Sequence, residues 1–294
     1  MNYKISLQQL KQLITTVILL LPLIFYGWRA NLRPSLNNHK QVLFSGITYQ
    51  KQIHTLPRPF VGHIVAIDLT KTGIKPLVTP PESILTNGTN LAITTSNFLK
   101  KFNLQLAVNA SFFYPFHERT PWDYYPKTGE PVNVVGESIA NSVIYGNPKS
   151  EWAVLCFAKN NLVQIFDREQ CPQQTVQGVT GKNILVVDGK TKINYNTSPY
   201  ARMAVATNKK GDRLWLIVVD GKQPFYSEGV TLLELAEIAV NLGADRALNL
   251  DGGGSTTLAI SKGNKVRVLN APIHSKIPMN ERPIANHLGF YALP

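Results

Sequence analysis

Beyond its first thirty residues this chain carries its hydrophobicity in short pieces. The apolar runs at 63–69, 104–108, 152–158, 184–187, 201–206, 214–219 and 247–250 are each of strand length, and many are β-branched. Turn dipeptides such as Asp188-Gly189, Asp220-Gly221 and Lys262-Gly263 punctuate them. Two later segments read as helices. Thr231 and Glu234 form a capping box, Leu232, Leu235, Ala236 and Ala239 fall on one face, and Gly243 supplies the stop. The second is predicted over 90–102, with Leu91, Phe98, Leu99 and Phe102 as its apolar set. Many strands and few helices predict an α+β fold, one domain with a mixed β-sheet core.

Hydrophobic residues make up 44% of the 294 and charged ones only 16%, a balance that excludes disorder. The formal net charge of +12 fits nucleic acid, an anionic membrane surface or an anionic substrate. The basic residues stand singly or in pairs, as in Lys100-Lys101 and Lys209-Lys210. They form neither a stripe nor a reading motif, so no nucleic-acid partner is expected.

Residues 13–28, LITTVILLLPLIFYGW, carry no charge and follow Lys4 and Lys11, the layout of a signal peptide or signal anchor. Trp28 and Arg29 stand where a cleavage site wants small residues, which favours an uncleaved anchor. The expected organisation is an anchor at 1–30, a linker at 31–45 and a globular domain at 46–294. That domain is placed outside the cytoplasm, in the periplasm or at the cell surface, held to the membrane by the amino-terminal segment; cleavage would make it secreted. In an oxidising compartment Cys156 and Cys171 would close a short loop worth about 3 kcal/mol. In a reducing one they are two half-buried thiols; their spacing is not that of a zinc site.

The most informative segment is 247–260, where an apolar strand runs into Asp251-Gly252-Gly253-Gly254-Ser255-Thr256. Three glycines in series cost backbone entropy that a simple turn does not need. They let main-chain N–H groups approach a ligand, as in anion-binding nests, and Ser255 and Thr256 add hydroxyl donors. The loop lacks the ending of a P-loop and does not match a dinucleotide fingerprint. Read alone it is also compatible with an acidic hairpin tip.

Four blocks carry a resemblance to the phosphodiester glycosidases, the family of the lysosomal uncovering enzyme. They are Asn109-Ala110-Ser111-Phe112-Phe113, then Ala201-Arg202-Met203-Ala204, then the stretch from Val219-Asp220-Gly221 through the capped helix to Ser255, and last Glu281-Arg282-Pro283-Ile284-Ala285-Asn286-His287. The resemblance runs from about Leu104 to the carboxyl end. Ala110 stands where the family has Gly, and Met203 where it has Thr, which removes a hydroxyl beside the arginine.

The resemblance implies hydrolysis of the bond between a sugar and a phosphodiester. The alternative is an envelope protein that binds glycan or phosphate without turnover. A phosphate leaving group departs as a stable anion, so it wants cationic stabilisation more than a strong acid. Arg202 and Arg282 suit that task, because guanidinium binds phosphate oxygens bidentately. Asp251 is the first candidate for a catalytic base or nucleophile, and Asp220, at a strand end, the second. Substrate contacts are expected from the glycine loop, from Asn109 and Asn286, and from Trp122 and Tyr124, whose flat faces suit a sugar ring. Asp123 lies in the same aromatic loop. Glu281 is expected to pair with Arg282, and His287 to be a packed histidine rather than a base. Calcium or magnesium is compatible with oxygen ligands near Asp251, but no repeated acidic pattern requires a cation.

Overall fold

A computed structural model describes residues 6–81, 89–195, 197–263 and 265–294; Lys4, one of the two charges expected ahead of the apolar run, lies outside them. The first element is helix α1, Leu7–Asn31. Its Ser6 cap and Gln9 form a capping box, Pro22 sits inside it, and none of its residues is buried. At 25 residues it is about 37 Å long, enough by length and composition to cross a bilayer. A signal or an anchor both fit that description.

The rest is α+β, with two further α-helices among the described residues. An eight-stranded sheet runs in the order His39–Phe44, Ile47–His54, Phe60–Asp68, Arg213–Val219, Arg202–Thr207, Arg246–Asn249, Asn183–Val187 and Lys190–Thr191. A five-stranded sheet orders Lys265–Val268, Leu258–Lys262, Leu106–Asn109, His287–Tyr291 and Lys75–Val78. A second five-stranded sheet orders Val143–Tyr145, Ser138–Ala140, Thr175–Gly181, Ala153–Ala158 and Val163–Phe166. The central pairs Arg202–Thr207 with Arg213–Val219 and Leu106–Asn109 with His287–Tyr291 run antiparallel, as do the other described ladders between strands. The expected mixture of strand directions reduces to one isolated parallel bridge, Ile273 to Asn280.

The central strands read as unbroken apolar runs because both faces are covered. In Arg213–Val219, Leu214, Leu216 and Val218 point into the core between the sheets. Trp215, Ile217 and Val219 point the other way, against Leu232, Leu235, Ala236 and Ala239 of helix α3, Leu232–Asn241. That helix has the capping box expected of Thr231 and Glu234, and Gly243 follows it at φ +82°. Helix α2, Thr95–Lys101, is shorter than the predicted segment. Thr94 caps it, Ile93 bridges Ile284, and Asn90 and Leu91 belong to the strand Thr89–Leu91, so extended pairing claims the residues before the cap.

Residues 39–44 form an edge strand paired with Ile47–His54, inside the span read as tether. Their alternation is weak because an edge strand buries little on either side.

Cys156 and Cys171 form a disulfide. Gly178 stands opposite Cys156, and a Cβ there would lie 3.0 Å from Cys171 Sγ, so the glycine leaves the bridge its room. Replacing both cysteines by alanine is expected to lower unfolding free energy by about 3 kcal/mol. Denaturant titration checks this: reductant should weaken the native protein by a similar amount and leave the double variant unmoved.

Candidate active site

The glycine loop is the crossover between two sheets. Strand Arg246–Asn249 lies in the eight-stranded sheet and Leu258–Lys262 in a five-stranded one. Between them, Leu250 N–H donates to Met203 O at 2.8 Å and Asp251 N–H to Ala110 O at 3.0 Å, one bond into each sheet's surroundings. Gly253–Ser255 make a single 3-10 turn. Each glycine is required by a close neighbour. A Cβ on Gly252 would meet Ala201 O at 2.7 Å; on Gly253, at φ +62°, the Tyr200 ring at 2.7 Å; on Gly254, the Arg282 guanidinium at 2.4 Å. The expected nest of free N–H groups is therefore partly used up within the loop. Gly252 N–H donates to Asp251 Oδ1 at 2.9 Å and Gly253 N–H to Ala201 O at 2.8 Å.

Asp251, Gly252, Arg202 and Arg282 line one cavity of about 250 Å³ together with Phe112, Phe113, Phe116, Tyr200, Asn249 and Leu250. That is roughly the space of eight liquid waters, a small-molecule volume. Burial raises the Asp251 carboxyl from its ordinary 3.8 to about 6, against the opposing pull of the Ser255 hydroxyl, the Arg282 charge and the Gly252 N–H. It thus holds a proton part of the time near neutrality.

Arg282 is the most constrained side chain of the site. Its Nη1 donates to Ser255 Oγ at 3.2 Å, its Nη2 to Glu118 at 2.6 Å and its Nε to His274 Nδ1 at 3.3 Å. Its guanidinium lies 4.3 Å from the Phe116 ring centre. His274 can accept because burial first, then the Arg282 charge, lowers its pKa to about 4 and leaves the ring neutral. Arg202 is different. It donates only to main-chain oxygens, Val230 at 3.3 Å and Ser198 at 3.2 Å, and has no ion pair among the described residues. Burial lowers its pKa, yet a guanidinium keeps its proton. Tyr200 carries this charge on its ring at 5.4 Å and Lys222 Nζ at 4.3 Å.

Several expected contacts lie elsewhere. Asp220 is buried and does not line the cavity. Its Oδ1 accepts from Ala271 N–H at 2.8 Å and Asn270 Nδ2 at 3.0 Å, and its Oδ2 lies 3.1 Å from His63 Nε2. Asn270 Nδ2 also donates to Thr256 O at 3.0 Å, so Asp220 is joined to the loop from beneath. Asn109 is buried too; it donates to Asp251 O at 2.6 Å and accepts from Thr257 N–H at 3.1 Å, clamping both ends of the loop. Asn286 accepts from Ser111 N–H at 2.9 Å and donates to Ser138 Oγ at 3.0 Å, which leaves a sugar no access to it. Ser255 and Thr256 are buried, the first wedged between Arg282 and Asp251.

Trp122 is exposed at the tip of the hairpin His117–Glu118/Tyr124–Tyr125, and Tyr124 sets its ring on His274 with centres 4.6 Å apart; neither lines the cavity. Asp123 closes that hairpin through His117 at 3.2 Å. Glu281 turns away from Arg282 and accepts from Ser96 N–H at 3.0 Å at the start of α2. His287 is packed as expected, with its ring centre 4.7 Å from that of Phe98 and its pKa lowered by burial to about 3. Sequence reasoning misses Glu118, His274, Phe116 and Tyr200, none of which stands in a local pattern that signals a site.

A calcium or magnesium ion fits this donor set poorly. Two guanidinium groups line the cavity that Asp251 faces, and among the described residues no three His, Cys, Asp or Glu side chains are placed to hold a metal.

Asp220→Ala would leave the donors of Asn270, Ala271 and His63 short of a partner in a dry interior. The expected cost is at least about 3 kcal/mol of stability, read from thermal or denaturant unfolding. An unchanged midpoint would contradict the supporting role.

The phosphodiester glycosidase family model matches residues 102–291. Comparison with curated sequences finds no match. Among solved structures the chain is similar to the catalytic domain of zebrafish N-acetylglucosamine-1-phosphodiester alpha-N-acetylglucosaminidase, auto-inhibited by its pro-peptide. The TM-score is 0.61 and the identity 18%, over 91% of this chain and 92% of that one. It is also similar to a hypothetical protein from Synechocystis, with TM-score 0.54, identity 16% and coverage of 88% and 64%. A Burkholderia pseudomallei protein described as exported gives TM-score 0.55, identity 15% and coverage of 80% and 74%. These likenesses carry the fold. The sequence match spans well over half of the chain, which belongs to the phosphodiester glycosidase family.

Proposed function

We propose that this chain hydrolyses the bond between a sugar and a phosphodiester, outside the cytoplasm, on glycan or envelope material. The observation that carries the reading is that one small cavity is lined by a carboxyl near its titration point and two guanidinium groups. The zebrafish relative's name supports N-acetylglucosamine as the first sugar to try.

Arg202 has no acidic partner among the described residues, so its charge is available to a phosphate oxygen. Arg282 uses three of its five N–H groups inside the protein, which leaves two. Both stabilise the phosphate as it leaves with the bonding electrons. Ionised Asp251 then acts on the anomeric side, as a nucleophile or as the base that takes a proton from water. Glycosidases usually place two carboxyl groups about the scissile bond. Here Asp251 is the one carboxylate among the described cavity-lining residues, and a leaving group that needs no proton makes one sufficient. The same count is what a glycan- or phosphate-binding protein without turnover would have, and turnover separates the two.

The test is release of free sugar from sugar phosphodiesters and from matching aryl glycosides. Asp251→Asn should lower turnover by roughly 10²–10⁴-fold; no release by the native chain from any phosphodiester would sink the reading. Arg202→Gln should slow phosphodiester cleavage and spare aryl glycosides. Because the ionised form is the active one, kcat should rise as pH rises through about 6.

Stability should move the opposite way. The folded state holds the Asp251 proton more tightly than the unfolded chain, so this group costs stability above about pH 6 and nothing below about pH 4. Asp251→Asn is therefore expected to stabilise by up to about 3 kcal/mol at pH 7 even as it slows turnover, and unfolding at pH 4 and 7 checks the sign.

A further inference from the structure

The short connection between α1 and the domain is fastened along its length. Lys51 Nζ donates to Ser35 O at 2.6 Å and to Asn37 Oδ1 at 3.0 Å. Ile53 N–H donates to Asn38 Oδ1 at 2.8 Å, and the Tyr226 hydroxyl to Pro34 O at 3.2 Å. The Arg33 guanidinium lies 5.1 Å from the Tyr226 ring centre. In the last turn of α1, Arg29 Nε donates to Pro278 O at 2.9 Å and Nη2 to Met279 O. Removal of a leader ending at residue 30 would take the Arg29 contacts with it.

The elements that hold the helix end also hold the cavity. Pro278 belongs to the hairpin Ile273–His274/Ile277–Pro278, and His274 of that hairpin accepts from Arg282. Loop 221–229 presses Tyr226 toward Pro34 and Lys222 onto the cavity-lining Tyr200. Its tip, Phe225, is 97% exposed. The adjoining loop is joined to it by Glu228 N–H to Pro59 O and by Arg58 Nε to Gly229 O, and carries Leu56, 83% exposed. Two large apolar side chains thus stand bare on neighbouring loops beside the exit of an apolar helix. Arg33 lies over Tyr226, the residue after Phe225, and Lys222 belongs to the same loop. Exposed apolar side chains with cations on the same loop and at the helix exit suit the headgroup region of a bilayer, and α1 supplies the bilayer.

We propose that α1 is retained and holds the cavity against the membrane, with Leu56 and Phe225 in the interface, and that the substrate is a sugar joined through its phosphodiester to a lipid of that membrane. The proposal rests on the phosphodiester reading. Water oxygen bonds to the anomeric carbon, the bond from that carbon to the phosphate oxygen breaks, and the lipid phosphomonoester leaves with the electron pair. The proton of the water passes to Asp251 and then to solvent.

The experiment uses the full chain in vesicles of phosphatidylcholine and phosphatidylglycerol. The probes are sugar 1-phosphates, N-acetylglucosamine 1-phosphate first, as hexadecyl diesters embedded in the vesicles and as methyl diesters in the water. The native chain should release sugar faster from the embedded diester at equal total concentration. Leu56→Ser with Phe225→Ser should keep the methyl rate within about twofold and lower the embedded rate roughly tenfold or more, since each buried side chain is worth more than a decade of binding. The methyl rate is the control for folding. Cleavage of methyl but not embedded diesters, or equal loss on both in the variant, overturns the proposal and leaves the phosphodiester reading standing. Release from neither probe removes both.

Discussion

One buried carboxylate organises the region beneath the site. Asp220 takes donors from Asn270, Ala271 and His63. Its own carbonyl accepts from Ser227 at 2.6 Å, and the same hydroxyl oxygen accepts from Val61 N–H at 3.0 Å. A charge removed from water is tolerable only when its lone pairs are filled this completely. The network joins the end of one sheet's central strand to the segment that follows the other sheet's hairpin, and Asn270 carries it up to Thr256. The glycine loop sits on this base. Asn109 fixes the loop from the side, and Tyr200, Ala201 and Arg282 press on it from above.

The loop's composition follows from that crowding. Gly252 and Gly254 have no room for a Cβ beside Ala201 and Arg282, and Gly253 takes a left-handed conformation beneath Tyr200. What the loop presents to the cavity is mainly the Asp251 carboxyl, raised by burial. The rest of the cavity lining comes from distant elements: Arg202 from a strand start, Arg282 from near the carboxyl end and the aromatic set Phe112, Phe113 and Phe116.

How much of this the sequence discloses depends on the range of the interaction. Strand runs with both faces apolar, the Thr231 capping box and the Gly243 stop are local signals, and they lie where the pattern puts them. The disulfide is legible from two cysteines near in sequence once export is assumed. Asp251, Arg202 and Arg282 are found through the motif blocks and do meet in one cavity. The residues whose surroundings the sequence does not disclose are those with distant partners. Asp220 is read as a second candidate carboxylate, and the segment at 270–271 closes over it. Asn109 and Asn286 look like ligand groups until main-chain donors claim them. Glu281 looks like the partner of Arg282, but Glu118, 164 residues away, has the place. Helix α2 is over-extended for the same reason: nothing local tells residues 89–91 that a strand at 131–133 awaits them.

The crowding around Tyr200 also fixes an electrostatic balance. Arg202, Lys222 and Arg282 bring three positive charges; Glu118 and ionised Asp251 bring two negative ones. A ligand carrying one negative charge brings this group to electroneutrality. A phosphate monoester, with two charges at neutral pH, overshoots it and faces Asp251 with its surplus. Under the proposed reading, this arithmetic would let charge alone separate a diester substrate from a monoester product and favour the product's departure.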